Sequence, residues 1–162
     1  MKHPHIRPVD YFLKGDAAMG HYGFSTTVIG EFDSVVERVT LALKQEGFGI
    51  LATIDVASTL KGKLGKEMPP YLILGACNPS LAHQAITADP DIGLLLPCNV
   101  VVRQTVNGEV VVGFMDPESV LGLVGSQEIN AIGREVRFKL EHVRDALRTG
   151  ADRAVAGAGA GA

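Results

Sequence analysis

The chain contains no tryptophan, and only two of its 162 residues are cysteines, Cys77 and Cys98. Two cysteines cannot form the disulfide framework that stabilises small secreted domains. The N-terminal sequence MKHPHIRPVDYFLKG lacks the apolar core of about 7–15 residues that a secretory signal needs. The longest mostly apolar stretch, Ile92–Val102, is far shorter than the roughly 20 residues that span a membrane. We therefore expect a cytoplasmic protein with reduced thiols and no membrane association.

An excess of positive charge is also missing, because the formal net charge is -3. Surfaces that bind nucleic acid need clustered positive charge to neutralise phosphates, so we do not expect a nucleic-acid partner. The sequence has no phosphate loop, no dinucleotide fingerprint, no Gly-x-Ser-x-Gly elbow and no His-Glu-x-x-His motif. The hydrophobic share is 46%, which is enough for a folded core.

Alternating and short apolar runs predict the strands of the domain. The predicted strands are Tyr22–Ile29, Phe48–Val56, Tyr71–Cys77, Ile92–Leu96, Cys98–Val106 and Glu109–Met115. Between the last two strands, Asn107-Gly108 is typical of a type I′ hairpin turn.

Capping residues and helical spacing predict the helices. A capping box at Ser34–Glu37 predicts the start of a helix that Gly47 ends. Asn78-Pro79 and Asp116-Pro117 each place a capping residue before a proline that suits the first helical position. The last helix is predicted over about 127–148, with a regular apolar stripe formed by Ile129, Ile132, Val136, Leu140, Val143 and Leu147.

The order of these elements favours an α+β fold, in which a mainly antiparallel sheet is covered on one face by helices. We expect residues 22–148 to form a single domain. Residues 1–21 are an N-terminal extension in this interpretation, and residues 149–162 are an Ala/Gly-rich C-terminal tail.

Several consecutive motifs resemble one known family. They include Leu74–Pro79 with the following Leu81-Ala82-His83, the run Pro90–Val102, and Asp116-Pro117. In these segments the chain resembles the domain-of-unknown-function family 302, over about residues 22–148. The resemblance implies a small α+β domain with a TATA-binding-protein-like shape that tends to form homodimers. It implies no activity, because the family has no agreed biochemical function.

Cys77 is the leading candidate for chemistry. It ends a strand and precedes a helix N-terminus, where exposed amides and the helix dipole favour a thiolate. The alternative is a small buried apolar residue, since free cysteine is among the most buried residue types. Cys98 follows Pro97 at the start of a strand, and each cysteine precedes an asparagine, Asn78 or Asn99. The two thiols could face one pocket, as buried residues or as a reversible disulfide.

Two further side chains complete the candidate site. His83 could act as a base beside Cys77 or join a soft-metal site, but the 20 residues between the cysteines do not match zinc-ligand spacing, so we predict no metal. A surface histidine is the alternative. Asp55 could serve as an acid or base, or simply cap a helix.

These observations lead to a functional hypothesis without a named reaction. We expect a homodimeric, non-enzymatic module that binds a small molecule or a partner at a pocket near Cys77 and Cys98. The alternative is a thiol-based redox protein or enzyme that uses Cys77. The sequence identifies no cofactor.

Overall fold

The computed structural model describes the backbone of residues 20–157 and the side chains of residues 20–148. Five strands form one sheet in the order β1-β5-β4-β3-β2, with all neighbouring pairs antiparallel. The strands are β1 Gly23–Val28, β2 Gly49–Asp55, β3 Tyr71–Cys77, β4 Cys98–Gln104 and β5 Val110–Met115. The predicted α+β fold with an antiparallel sheet is therefore confirmed.

Five α-helices accompany the sheet in the described part of the chain. They are α1 Phe32–Gln45, α2 Val56–Leu64, α3 Pro79–Ala88, α4 Pro117–Leu121 and α5 Gln127–Gly157. Two 3-10 helices, Pro90–Leu95 and Gly122–Val124, precede β4 and α5. The six residues of the predicted α5 stripe are all buried, which confirms the helical periodicity.

One face of the sheet carries the core. Because side chains alternate along a strand, Val28 of β1, Phe114 of β5, Val100 of β4 and Leu74 of β3 project to the same side. These residues belong to one buried cluster with the apolar sides of α1, α3 and α5. The opposite side of the sheet, called here the open face, supplies no fully buried member of this cluster, although the half-buried Met115 packs against it.

The predicted strand at Ile92–Leu96 is wrong, because this segment lies in a 3-10 helix. Asp89 ends α3, and its carboxylate also accepts a hydrogen bond from the Asp91 amide and so caps the next turn. Leu94 is 87% exposed, which is incompatible with a buried strand. Pro90 at the first helical position fits the same turn.

Two other local predictions need correction. The helix α1 begins at Phe32, two residues before Ser34, and its N-cap Glu31 makes no side-chain capping bond. The hairpin between β4 and β5 exists, but its turn is not type I′, because that turn needs positive φ at two residues and only Gly108 has it. Thr105 and Glu109 instead pair across a three-residue loop.

The chain ends are described only in part. Helix α5 continues to Gly157, beyond the predicted end near residue 148. Residues 1–19 of the predicted extension and residues 158–162 of the predicted tail lie outside the described residues.

Candidate functional site

The two cysteines line one small cavity at the end of β3 and the beginning of β4. The register pairs Ala76 with Cys98, so the cysteines lie on adjacent strands. The remaining walls are mostly apolar and include side chains of α3 and α5. The cavity volume is only about 20 Å³, which is room for about one water molecule. A cavity of this size does not admit a metabolite.

Both thiols lie in surroundings that disfavour the thiolate. Burial raises the pKa of the Cys98 thiol to about 12, and the nearby Cys77 contributes to the same shift. Burial also raises the pKa of the half-buried Cys77 thiol. At neutral pH both groups are therefore neutral thiols, which are poor nucleophiles. For Cys77 the pKa is raised by desolvation, which fits the buried residue that the sequence analysis gave as the alternative to a thiolate.

Asn78 and Asp55 serve as helix caps. The Asn78 side chain accepts a hydrogen bond from the Leu81 amide at 3.2 Å, with Pro79 at the start of α3, as predicted. The Asp55 carboxylate accepts from the Ser58 amide at 2.8 Å and caps α2. Asp55 is exposed and does not line the cavity, so it is not placed to act as acid or base toward Cys77.

His83 and Asn99 lie away from the thiols. His83 is exposed on α3 and does not line the cavity, so the structure does not assemble a Cys–His pair or a Cys–Cys–His ligand set. Among the described residues, no group of three or more His, Cys, Asp or Glu side chains comes together to hold a metal ion. Asn99 is also exposed, but it lines a different and larger depression.

This larger depression is a groove on the open face, with a volume of about 310 Å³. Asn99 and Val101 of β4 and Gly113 and Met115 of β5 alternate onto this face. Tyr22, Phe114 and Val120 complete the described lining. Among the described residues that line the groove, only Asn99 and Tyr22 carry a polar group in the side chain. Sequence periodicity indicated the strands, but it could not show that the second face of β4 and β5 would form a recess.

An ion pair that the sequence analysis missed ties α4 to α5. Asp116 is 5% exposed and caps α4, where it accepts hydrogen bonds from the amides of Glu118 and Ser119. Its carboxylate also accepts from the Arg137 guanidinium. The carboxylates of Asp116 and Glu141 raise the Arg137 pKa despite partial desolvation. The cap was predicted, but the cationic partner lies 21 residues away and no local signal indicates it.

The Arg137 guanidinium also lies over the Phe24 ring, 5.5 Å from its centroid, and Arg144 lies at the same distance. Phe24 in turn stacks on Phe114 at 5.3 Å. These contacts join α5 to the sheet. Arg137 and Arg144 therefore have structural roles on α5.

Comparisons with known proteins agree on one family. The model of the family described as "Domain of unknown function DUF302" matches residues 24–147. The chain is similar to the crystal structure of an uncharacterized conserved DUF302 protein from Bacillus stearothermophilus, with 29% sequence identity and a TM-score of 0.73. That similarity covers 79% of this chain and 99% of the other. No curated protein matches the chain.

Within the described residues, no helix combines the length and the apolar character needed to cross a membrane.

Proposed function

The chain belongs to the DUF302 family, and from this premise we propose that it is a non-enzymatic, homodimeric binding module whose binding surface is the groove on the open face. The observation that carries this proposal is the difference in volume between the groove and the cavity at the cysteines. The groove has a volume of about 310 Å³, whereas the cavity between the cysteines has about 20 Å³. Ligand sites usually measure about 300–1,000 Å³, so only the groove reaches this range.

The chemistry of the groove suits an apolar group with one polar atom. Val101 and Met115 offer apolar contacts, and Gly113 lets a flat group approach the backbone of β5. The exposed Asn99 amide can donate and accept hydrogen bonds at the rim. We therefore propose a binding surface that includes Asn99, instead of the cysteine pocket that the sequence favoured.

The thiol-based alternative has less support. A catalytic cysteine needs a depressed pKa or an adjacent base, and the two thiols have raised pKa values. His83 does not line their cavity. We therefore assign Cys77 and Cys98 to packing around α3.

The proposed groove can be tested with the dye 8-anilinonaphthalene-1-sulfonate, an apolar probe whose fluorescence rises on binding. We expect saturable binding to the full chain, and we expect Val101→Glu to weaken it at least tenfold because the charge enters the groove. Leu123→Glu is the matched control, since Leu123 is 78% exposed and does not line the groove. Equal binding by the two variants would contradict the proposal.

The second part of the proposal is the homodimer, for which β2 is the candidate interface. β2 is an edge strand, and its backbone groups on the outer side have no sheet neighbour. Leu51 is 69% exposed and Ile54 is 50% exposed, which is unusual for an unprotected edge. Pairing with the β2 strand of a second copy covers both features across a two-fold axis.

Light scattering tests this interface. We expect the full chain to have twice the monomer mass of 17.1 kDa at micromolar concentration. Ile54→Lys should give the monomer mass, because an edge charge opposes strand pairing. Leu94→Lys, at a side chain that is 87% exposed on the Pro90–Leu95 turn, should leave the dimer intact. If the unsubstituted chain is a monomer, the proposed dimer is refuted, but the proposed binding groove is not.

A further inference from the structure

Two residues of the open face are buried although they lie outside the core cluster. Val111 is only 2% exposed, yet it projects from β5 to the side opposite Val110 and Val112 and is absent from the core cluster. Gly113, two residues further on the same side, is also buried. The helices α1, α3 and α5 supply their buried side chains to the other face, so they do not explain this burial.

The described chain begins at the rim of the groove. Tyr22 lines the groove, and its carbonyl oxygen accepts a hydrogen bond from the Asp116 amide at 2.8 Å. This bond holds the start of β1 beside the end of β5. Residues 1–19 therefore connect to the fold within three residues of a groove-lining side chain.

The length and composition of residues 1–19 suit this surface. Nineteen extended residues span up to about 60 Å, whereas five strands about 4.8 Å apart measure roughly 20 Å across. The segment contains three consecutive large apolar residues, Tyr11, Phe12 and Leu13. The other chain end, residues 149–162, contains a single large apolar residue, Val155, and its residues up to Gly157 belong to α5.

We propose that residues 1–19 bind in the groove of their own chain through Tyr11, Phe12 and Leu13. This inference rests on the proposed function, because it takes the groove to be a binding surface for apolar groups. Residues 1–19 then compete with external partners for the groove, and a partner binds only when the partner displaces this segment. The apolar groove is filled by the same chain in the absence of that partner.

Methionine oxidation by hydrogen peroxide offers a direct test on the full chain. Met115 lies in the groove, and Met68 is similarly half-buried but lies outside it, so Met68 is an internal control. In the variant Tyr11→Ser, Phe12→Ser, Leu13→Ser, we expect Met115 to oxidise at least fivefold faster and Met68 at an unchanged rate. Adding a synthetic peptide of residues 1–19 should restore the slow rate at Met115.

The control variant carries Lys2→Ser and Lys14→Ser, which change the same segment without removing its apolar side chains. We expect it to oxidise like the unsubstituted chain. An unchanged Met115 rate in the triple variant, or no protection by the added peptide, overturns the proposal. Met115 oxidation that rises on dilution of the unsubstituted chain also overturns it, because a second copy then covers the groove.

The dye measurement separates this inference from the proposed function. If residues 1–19 compete for the groove, the triple variant should bind the dye at least fivefold more tightly than the unsubstituted chain. If the dye binds at Val101 in both proteins with equal affinity, the groove is a binding surface and the competition is refuted. If neither protein binds the dye at this position, the proposed function itself fails.

Discussion

The substitution Gly133→Ala tests the contact between α4 and α5. A Cβ atom at residue 133 would lie 3.0 Å from the Pro117 carbonyl oxygen and 3.4 Å from the Glu118 Cα atom. Both neighbours are backbone atoms, so relief requires movement of α4 and not a simple change of rotamer. Overpacking of this kind costs about 1–3 kcal/mol.

Helix propensity acts in the opposite direction, since replacing glycine with alanine inside a helix gains about 1 kcal/mol. A matched control separates the two effects. Gly62 lies inside α2, and a Cβ atom there would have no neighbour within 4 Å. Gly62→Ala should therefore show the propensity gain alone, as an increase of about 0.5–1 kcal/mol in the free energy of unfolding.

The assay is urea unfolding of the unsubstituted chain and of both variants. Because the propensity effect is common to both, the difference between the two variants measures the packing cost, and we expect about 1–3 kcal/mol. Gly133→Ala should be the less stable of the two. A difference below about 0.5 kcal/mol would refute the reasoning, because α4 would then move away from α5 at almost no cost.

The other predictions concern the ion pair and the thiols. Asp116→Ala should lower the free energy of unfolding by about 2 kcal/mol, because it removes both a helix cap and the charged partner of Arg137. Asp116→Asn should lower it by roughly half as much, because the side-chain amide can still cap α4. A double-mutant cycle with Arg137→Gln in urea checks this, and strictly additive effects would argue against the coupling. For the thiols, a pKa of about 12 leaves Cys98 a thiolate fraction of about 10⁻⁴ at pH 8, roughly a thousandth of that of an ordinary thiol. Iodoacetamide should therefore modify Cys98 in the folded chain at least a hundredfold more slowly than in urea, and fast modification of Cys77 or Cys98 near neutral pH would restore the thiol-based function.

Local signals in the sequence located many features of the fold. Asn78 and Asp116 were predicted as caps because a capping bond joins residues only two or three positions apart. The α5 stripe was predicted because helical periodicity is a property of one segment, and the β4–β5 hairpin because its strands are joined by a short loop. The same local logic misplaced the start of α1, which begins at Phe32 although the capping-box pattern begins at Ser34.

The tertiary structure alone decided the features that depend on contacts between distant segments. Pairing of β1 with β5 gives the sheet its order, and Arg137 reaches Asp116 across 21 residues. The Ile92–Leu96 segment has a strand-like composition, but it lies in a 3-10 helix that Asp89 caps and that begins with Pro90 at its first position. The alternation of side chains along β4 and β5 predicts that the sheet has two different faces, but it does not indicate which face the helices cover. Burial of Cys98 and the groove beside Asn99 follow from that choice, because desolvation and surface shape arise only when the helices have packed against one side of the sheet.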